Sequence, residues 1–206
     1  MRPWANGRLR ALGVLLFVGS AGCTGVSQPT QFHTLAALQP ETASAAAGLQ
    51  ARPLVVGVGP ITLPDYVDRP QIVTRAGATG VQLADFDSWV ESLTTLVPRT
   101  MAENLAVLLG SDRVTLVPQP RNQRLDYQIE ADFMRFDAIR GGDMELDALW
   151  RVYGRDGERL LQDGRARIAV PVPEDATFEA VVAAMSQGIE QLTRELAEIV
   201  AATPTR

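Results

Sequence analysis

The chain has 206 residues, with 24 acidic and 19 basic side chains, a formal charge of −5, and hydrophobic residues making up 46% of the total. One cysteine and one histidine exclude a disulfide framework and any zinc site built from several Cys and His ligands. The acidic balance, with Arg as every basic residue and no Lys, offers no basic surface for nucleic acid.

Arg2, Arg8 and Arg10 precede an uncharged run from Ala11 to Val18, and the small residues Gly19-Ser20-Ala21-Gly22 follow. A basic start, a short apolar stretch and small residues are the three parts of an export signal. The run is shorter than the ~20 apolar residues that span a bilayer, so residues 1–22 are expected to be a removed signal peptide. Cys23 follows directly, and the stretch LLFVGSAGCTG resembles the lipobox of bacterial lipoproteins, with Ser20 where that motif usually carries a large aliphatic residue. The resemblance implies a diacylglyceryl group on Cys23, cleavage before it, and acylation of the new amino terminus. The alternative is a secreted protein cut near Ala21 with a free thiol. Anchoring is physically strong, because each buried CH₂ contributes ~0.8 kcal/mol and several chains act together. Cleavage would remove three arginines and leave a formal charge of −8. In lipoprotein sorting an Asp after the cysteine retains the protein in the inner membrane; Thr24 therefore points to the outer membrane.

Residues 23–52 read as a lipid-anchored tether. Gln31-Phe32-His33-Thr34-Leu35 alternates like a candidate edge strand, and the Ala-rich stretch Ala43 to Ala51 reads as a spacer. His33 is expected to be an ordinary strand residue. A folded domain is expected over 53–203. Leu54 to Val58 is a β-branched run between Pro53 and Gly59-Pro60, the pattern of a buried strand. Pro60, Pro64 and Pro70 stiffen the connection from Gly59 to a second strand near Ile72 to Thr74. Residues 77–80 turn the chain, and Val81 to Leu83 form a short returning strand.

Ser88 and Glu91 are spaced as a capping box, which predicts a helix start at Ser88. Phe86, Trp89, Leu93, Leu96, Val97, Met101, Leu105 and Leu108 recur at helical spacing toward a Gly110 stop, with Pro98 expected to kink or split the helix. Val114 to Val117 is a further strand. Residues 125–170 alternate as an antiparallel meander: Tyr127, Ile129, Ala131 and Phe133 share one phase, which switches to Met134, Phe136 and Ala138, predicting a bulge. Met144, Leu146, Ala148, Trp150 and Val152, then Ala166, Ile168 and Val170, line the apolar face of the next two strands. On the polar face Glu130, Asp132, Glu145 and Asp147 would oppose Arg165 and Arg167, in pairs worth about 0.2–1 kcal/mol each if the strands are neighbours.

A last helix is expected from about Asp175 to Ala202. Phe178, Val182, Met185, Ile189, Leu192, Leu196 and Ile199 alternate spacings of four and three. This usually means a helix laid on a sheet; the alternative is a seam for self-association or a partner helix centred on Met185, Ile189, Leu192 and Leu196. Glu190 and Arg194 are placed to pair at i, i+4.

The residues suggest no catalysis. His33 lies beside the tether; Gly57-Val58-Gly59 runs straight into Pro60 and breaks any phosphate-loop pattern; the carboxylate pairs Asp65/Asp68 and Asp85/Asp87 are explained by turns and caps. No enzyme activity, metal or cofactor is expected, apart from the covalent lipid on Cys23.

The lipobox, the segment GPITLPDYVDRPQIVTR at 59–75 and WVESLTTLVPRTMAENLAVLLG at 89–110 make the chain similar to the ABC-type transport auxiliary lipoproteins. These are the PqiC/YmbA-like components of paraquat-inducible and related MCE systems. Leu63-Pro64-Asp65-Tyr66 with Asp68-Arg69-Pro70-Gln71 is the most specific part, and His33 stands where a tyrosine is more usual. The resemblance implies an outer-membrane lipoprotein facing the periplasm that docks the MCE-domain protein of a lipid-transporting ABC system. Tyr66, Asp68, Arg69 and Gln71 are the candidate contact residues, because a proline-stiffened loop presents side chains at low entropic cost. Two other classes remain: a lipoprotein subunit of another envelope or secretion complex, as a homo-oligomer, and a periplasmic lipid-binding carrier. The expected architecture is mixed α/β (α+β), with one mixed, largely antiparallel sheet and two amphipathic helices packed on it.

Overall fold

A computed structural model of the protein describes residues 28–40, 54–118, 124–154 and 157–203. The signal segment, Cys23 and the Ala-rich spacer lie outside the described residues. Among the described residues eight strands form one mixed sheet: β1 (Gln31–His33), β2 (Val56–Thr62), β3 (Gln71–Ala76), β4 (Gly80–Trp89), β5 (Val114–Leu116), β6 (Tyr127–Ala138), β7 (Gly142–Gly154) and β8 (Arg159–Val172). Helix α1 (Leu93–Leu109) lies between β4 and β5, and α2 (Phe178–Ala202) follows β8.

The alternating residues of 127–172 build the antiparallel ladders β6–β7 and β7–β8. The predicted bulge occurs, with the register shifting between Phe133 and Arg135. Phe136 and Ala138 then face the core, whereas Met134, expected to face inward, is the extra residue and stands exposed. The other edge of β6 is shared: β2 runs parallel to it as far as Asp132, and β3 joins it, also parallel, at Ala138. β3 turns back through β4 in an antiparallel pair, β4 carries the short parallel strand β1, and β5 lies parallel on the far side of β2. The strand foreseen within the tether therefore forms, and Leu35 just after it enters the core. Ala36 N–H donates to Ser186 Oγ at 3.0 Å and Leu38 N–H to Asn104 Oδ1 at 2.7 Å, fastening this segment to both helices.

The capping box does not form. Ser88 is paired in β4, Glu91 bridges to Arg99 at 2.8 Å, and α1 starts after Ser92. Phe86 and Trp89 accordingly belong to the strand, which runs ten residues where a three-residue strand was expected. Pairing with both β1 and β3 outweighs the local cap signal. Pro98 does not split α1, which runs unbroken to a left-handed Gly110; the carbonyl it leaves free belongs to Thr94, exposed in the first turn. Helix α2 begins later than expected, at Phe178, where Thr177 Oγ1 accepts from Ala180 N–H at 3.3 Å.

Both helices cover one face of the sheet. Met185, Ile189, Leu192 and Leu196 pack into that core, each no more than 2% exposed. The seam considered for self-association is thus consumed inside the chain, because the apolar stripe of α2 is the lid of its own sheet. The approach is close at Gly188, where a Cβ would displace the end of the flexible Met144 side chain.

Candidate functional site

The proline-rich connection from β2 to β3 is positioned by the sheet. Because β2 and β3 meet the same edge of β6 in succession, residues 63–70 must leave the sheet between them and return. Val67 N–H donates to Pro64 O at 3.1 Å, Arg69 N–H to Val67 O at 2.9 Å, and Trp89 N–H to Pro70 O at 2.7 Å. Val67 is buried, while Asp68, Arg69 and Gln71 are exposed side by side at the loop's end.

Tyr66, foreseen as a contact residue, turns inward. Its hydroxyl donates a short hydrogen bond to Asp137 Oδ2, and Arg75 Nη1 stands 3.6 Å from the same oxygen. The carboxyl group of Asp137 is completely buried, and its Oδ1 has no hydrogen-bond partner among the described residues. Burial, followed by the hydrogen bond to the Asp137 carboxylate, pushes the Tyr66 phenol well above its ordinary range. Arg75 Nη2 also donates to Ala78 O at 2.8 Å, holding the β3–β4 turn. The loop is therefore pinned by a neutral phenol over a buried carboxylate, with an arginine alongside.

Asp137 and Arg75 were not among the residues singled out from sequence. Asp137 sits between Phe136 and Ala138 in a segment that reads as core, and only the bulge puts it on the face away from the helices, where the loop covers it. Its cross-strand neighbour Glu145 lines an open groove of about 380 Å³ on that face, together with Met134, Arg135, Asp147 and Arg167.

Of the charges anticipated along β6 to β8, only Asp147 meets Arg165 and Arg167; β7 separates β6 from β8, and Glu130, Asp132 and Glu145 find Arg151 and Arg135 instead. Thr62 Oγ1 donates to Asp132 Oδ1 at 2.7 Å and Arg151 Nη1 to Asp132 Oδ2 at 3.0 Å. The Thr62 hydrogen bond, with help from Arg151, holds the Asp132 carboxyl below its usual range. Arg165 grips both oxygens of Asp147, at 2.6 and 2.5 Å, and depresses that carboxyl likewise, while Arg135 pairs with Glu145. Beside β1, His33 Nε2 lies 2.8 Å from Asp87 Oδ1. In these arrangements opposite charges are mutually satisfied across neighbouring strands. Among the described residues no group of His, Cys, Asp and Glu is placed to hold a metal ion, and no helix is long and apolar enough to cross a membrane.

The fold occurs in solved structures. An uncharacterised protein superposes with a TM-score of 0.66 at 14% identity, over 84% of this chain and 99% of that one. Protein XCC0632 of the DUF330 family, from Xanthomonas campestris, gives 0.63 at 17% identity, over 83% and 95% of the two chains. No curated protein matches the sequence. The family model of the ABC-type transport auxiliary lipoprotein component matches residues 33–197, from the last residue of β1 to within α2. This match covers both helices' sheet contacts and the pinned loop, and the chain belongs to that family.

Proposed function

We propose that the protein is a lipid-anchored docking subunit, acylated on Cys23, held in the outer membrane facing the periplasm, and engaging the MCE-domain component of an ABC-type lipid transport system. The observation that carries this reading is the loop 63–70, whose proline-stiffened backbone is pinned by Tyr66 to buried Asp137 and whose end carries exposed Asp68 and Arg69, with exposed Gln71 opening β3. Pre-ordering these side chains lowers the entropy cost of engaging a partner. Restriction to one membrane raises the local concentration of the docking surface without adding contacts. Tyr66 thus changes role from contact residue to positioning residue. A lipid carrier would need an enclosed apolar chamber; among the described residues, the groove over β6–β8 and a cleft of about 370 Å³ between α1 and β2 are both open to solvent.

The test combines intact mass of the membrane-extracted protein with site-specific photo-crosslinking from positions 68, 69 and 71 in cells carrying the cognate transport system. Acyl chains on Cys23 and a crosslink to the MCE protein from these positions, absent from position 160 on β8, are expected. Acylation with crosslinks only to other envelope proteins would move the chain to another complex.

A further inference from the structure

Several of the chain's exposed large apolar side chains gather at one edge of the sheet. Phe32 on β1 is 68% exposed, Phe86 on β4 39%, and Val90 just beyond β4 57%. Phe32 pairs with Ser88, and Phe86 lies two residues before it in the irregular part of β4; the face opposite Phe32 carries His33 and the buried Trp89. Val90 N–H donates to His33 O at 2.9 Å, which fixes Val90 beside the same strand end. Two aromatic rings and a valine therefore crown the terminal strand pair, β1 itself being the sheet's edge.

Covalent reach decides what meets this edge. Gln28, where the described chain begins, is five residues after Cys23, a span of at most ~18 Å even fully extended. Residues 31–38 are then fixed to β4 and to both helices, so the domain cannot swing away on a longer leash at this point. If Cys23 carries acyl chains, the β1–β4 edge is held at the headgroup level. The local charges suit that position, because His33 is paired with Asp87 and Glu91 with Arg99. With these two pairs compensated and Asp85 exposed beside Phe86, the edge fits a neutral phospholipid surface better than a strongly anionic one, which the acidic chain would also oppose.

We propose that Phe32, Phe86 and Val90 form a membrane-contact surface that seats on the headgroup–acyl boundary of a neutral phospholipid bilayer and fixes the domain's orientation. The proposal rests on the reading that Cys23 is acylated. It sets residues 70 and 71, bonded to Trp89 and Ser88 beside the patch, near the bilayer edge, and leaves β8, at the far end of the sheet, away from it.

The experiment uses the full chain, matured and acylated in cells, purified in detergent and reconstituted into phosphatidylcholine vesicles with or without bromine on the acyl chains. Phe32→Trp places an indole in the patch, and Leu160→Trp places one on β8, five strands away, about 24 Å at the usual strand spacing. Intact mass establishes the acyl group first, and the wild-type signal from buried Trp89 and Trp150 is subtracted. An interfacial side chain sinks ~5–10 Å into the boundary, so the new indole of Phe32→Trp should lose about half its emission in brominated vesicles, whereas that of Leu160→Trp stays unchanged. Equal, weak quenching of both variants in acylated protein would overturn the membrane contact and leave the anchor standing. Protection of the patch only at high protein density, without quenching, would also overturn it, in favour of a second copy. Protein with no acyl group would remove the anchor and this inference together.

Discussion

Tyr66→Phe deletes one hydroxyl and keeps the ring that fills the space beneath the loop. The lost bond is charge-assisted, and such bonds contribute about 1.5–3 kcal/mol when their partner is left buried. Arg75 remains at 3.6 Å from Asp137 Oδ2, so a value near 2 kcal/mol is expected rather than the upper limit. For a domain of this size, each kcal/mol moves the midpoint by about 2–4 °C, and the variant should melt about 4–8 °C lower. Circular dichroism of the mature chain in detergent gives the midpoint. Asp137→Asn and the double variant close a cycle that isolates the Tyr66–Asp137 coupling from general loop damage. The pH dependence supplies an independent check. A phenol whose folded-state pKa is raised contributes stability that is complete below its unfolded value, near 10, and is lost as the pH rises above it. Wild type should therefore lose stability above pH 10 more steeply than Tyr66→Phe. A variant that melts within a degree of wild type, with the same alkaline slope, would show that the hydroxyl does not pin the loop and would sink the positioning role.

Other consequences are open to simpler measurements. Ile189→Asp should leave the chain unfolded in far-UV circular dichroism, because this side chain is fully buried and an unpaired charge there has no solvation; a folded protein with an altered oligomeric state would restore the seam reading of α2. Gly164→Ala should destabilise by about 1–3 kcal/mol in urea titration, since a Cβ would stand 2.5 Å from the rigid ring of Trp150. Asp132 and Asp147 have lowered folded-state pKa values, so their stabilisation is present above the ordinary carboxylate range and disappears as the pH falls through the folded values. Melting below pH 4 should accordingly differ less between wild type and the double variant Arg151→Gln/Arg165→Gln than it does at pH 7.

Periodicity made much of this protein legible. Alternation over 127–133 and 144–152 named the inward residues of β6 and β7, and the change of phase near Phe133 announced the bulge, because a strand has two faces and a slip of one residue exchanges them. The stripe of α2 was equally plain and favoured a helix laid on a sheet, yet its seven-residue spacing also admitted a partner helix, and the packed sheet decided between them. The capping signal at Ser88 misled for a related reason: a four-residue motif competes poorly with pairing to two neighbouring strands. At the candidate site, the sequence by itself determined a stiff loop bearing Tyr66, Asp68, Arg69 and Gln71, since proline restricts the backbone wherever it stands. Which of these side chains points inward was decided by tertiary structure alone. The carboxylate that captures Tyr66 lies 71 residues away in the chain, and it reaches that place only because β2 and β3 share one edge of β6.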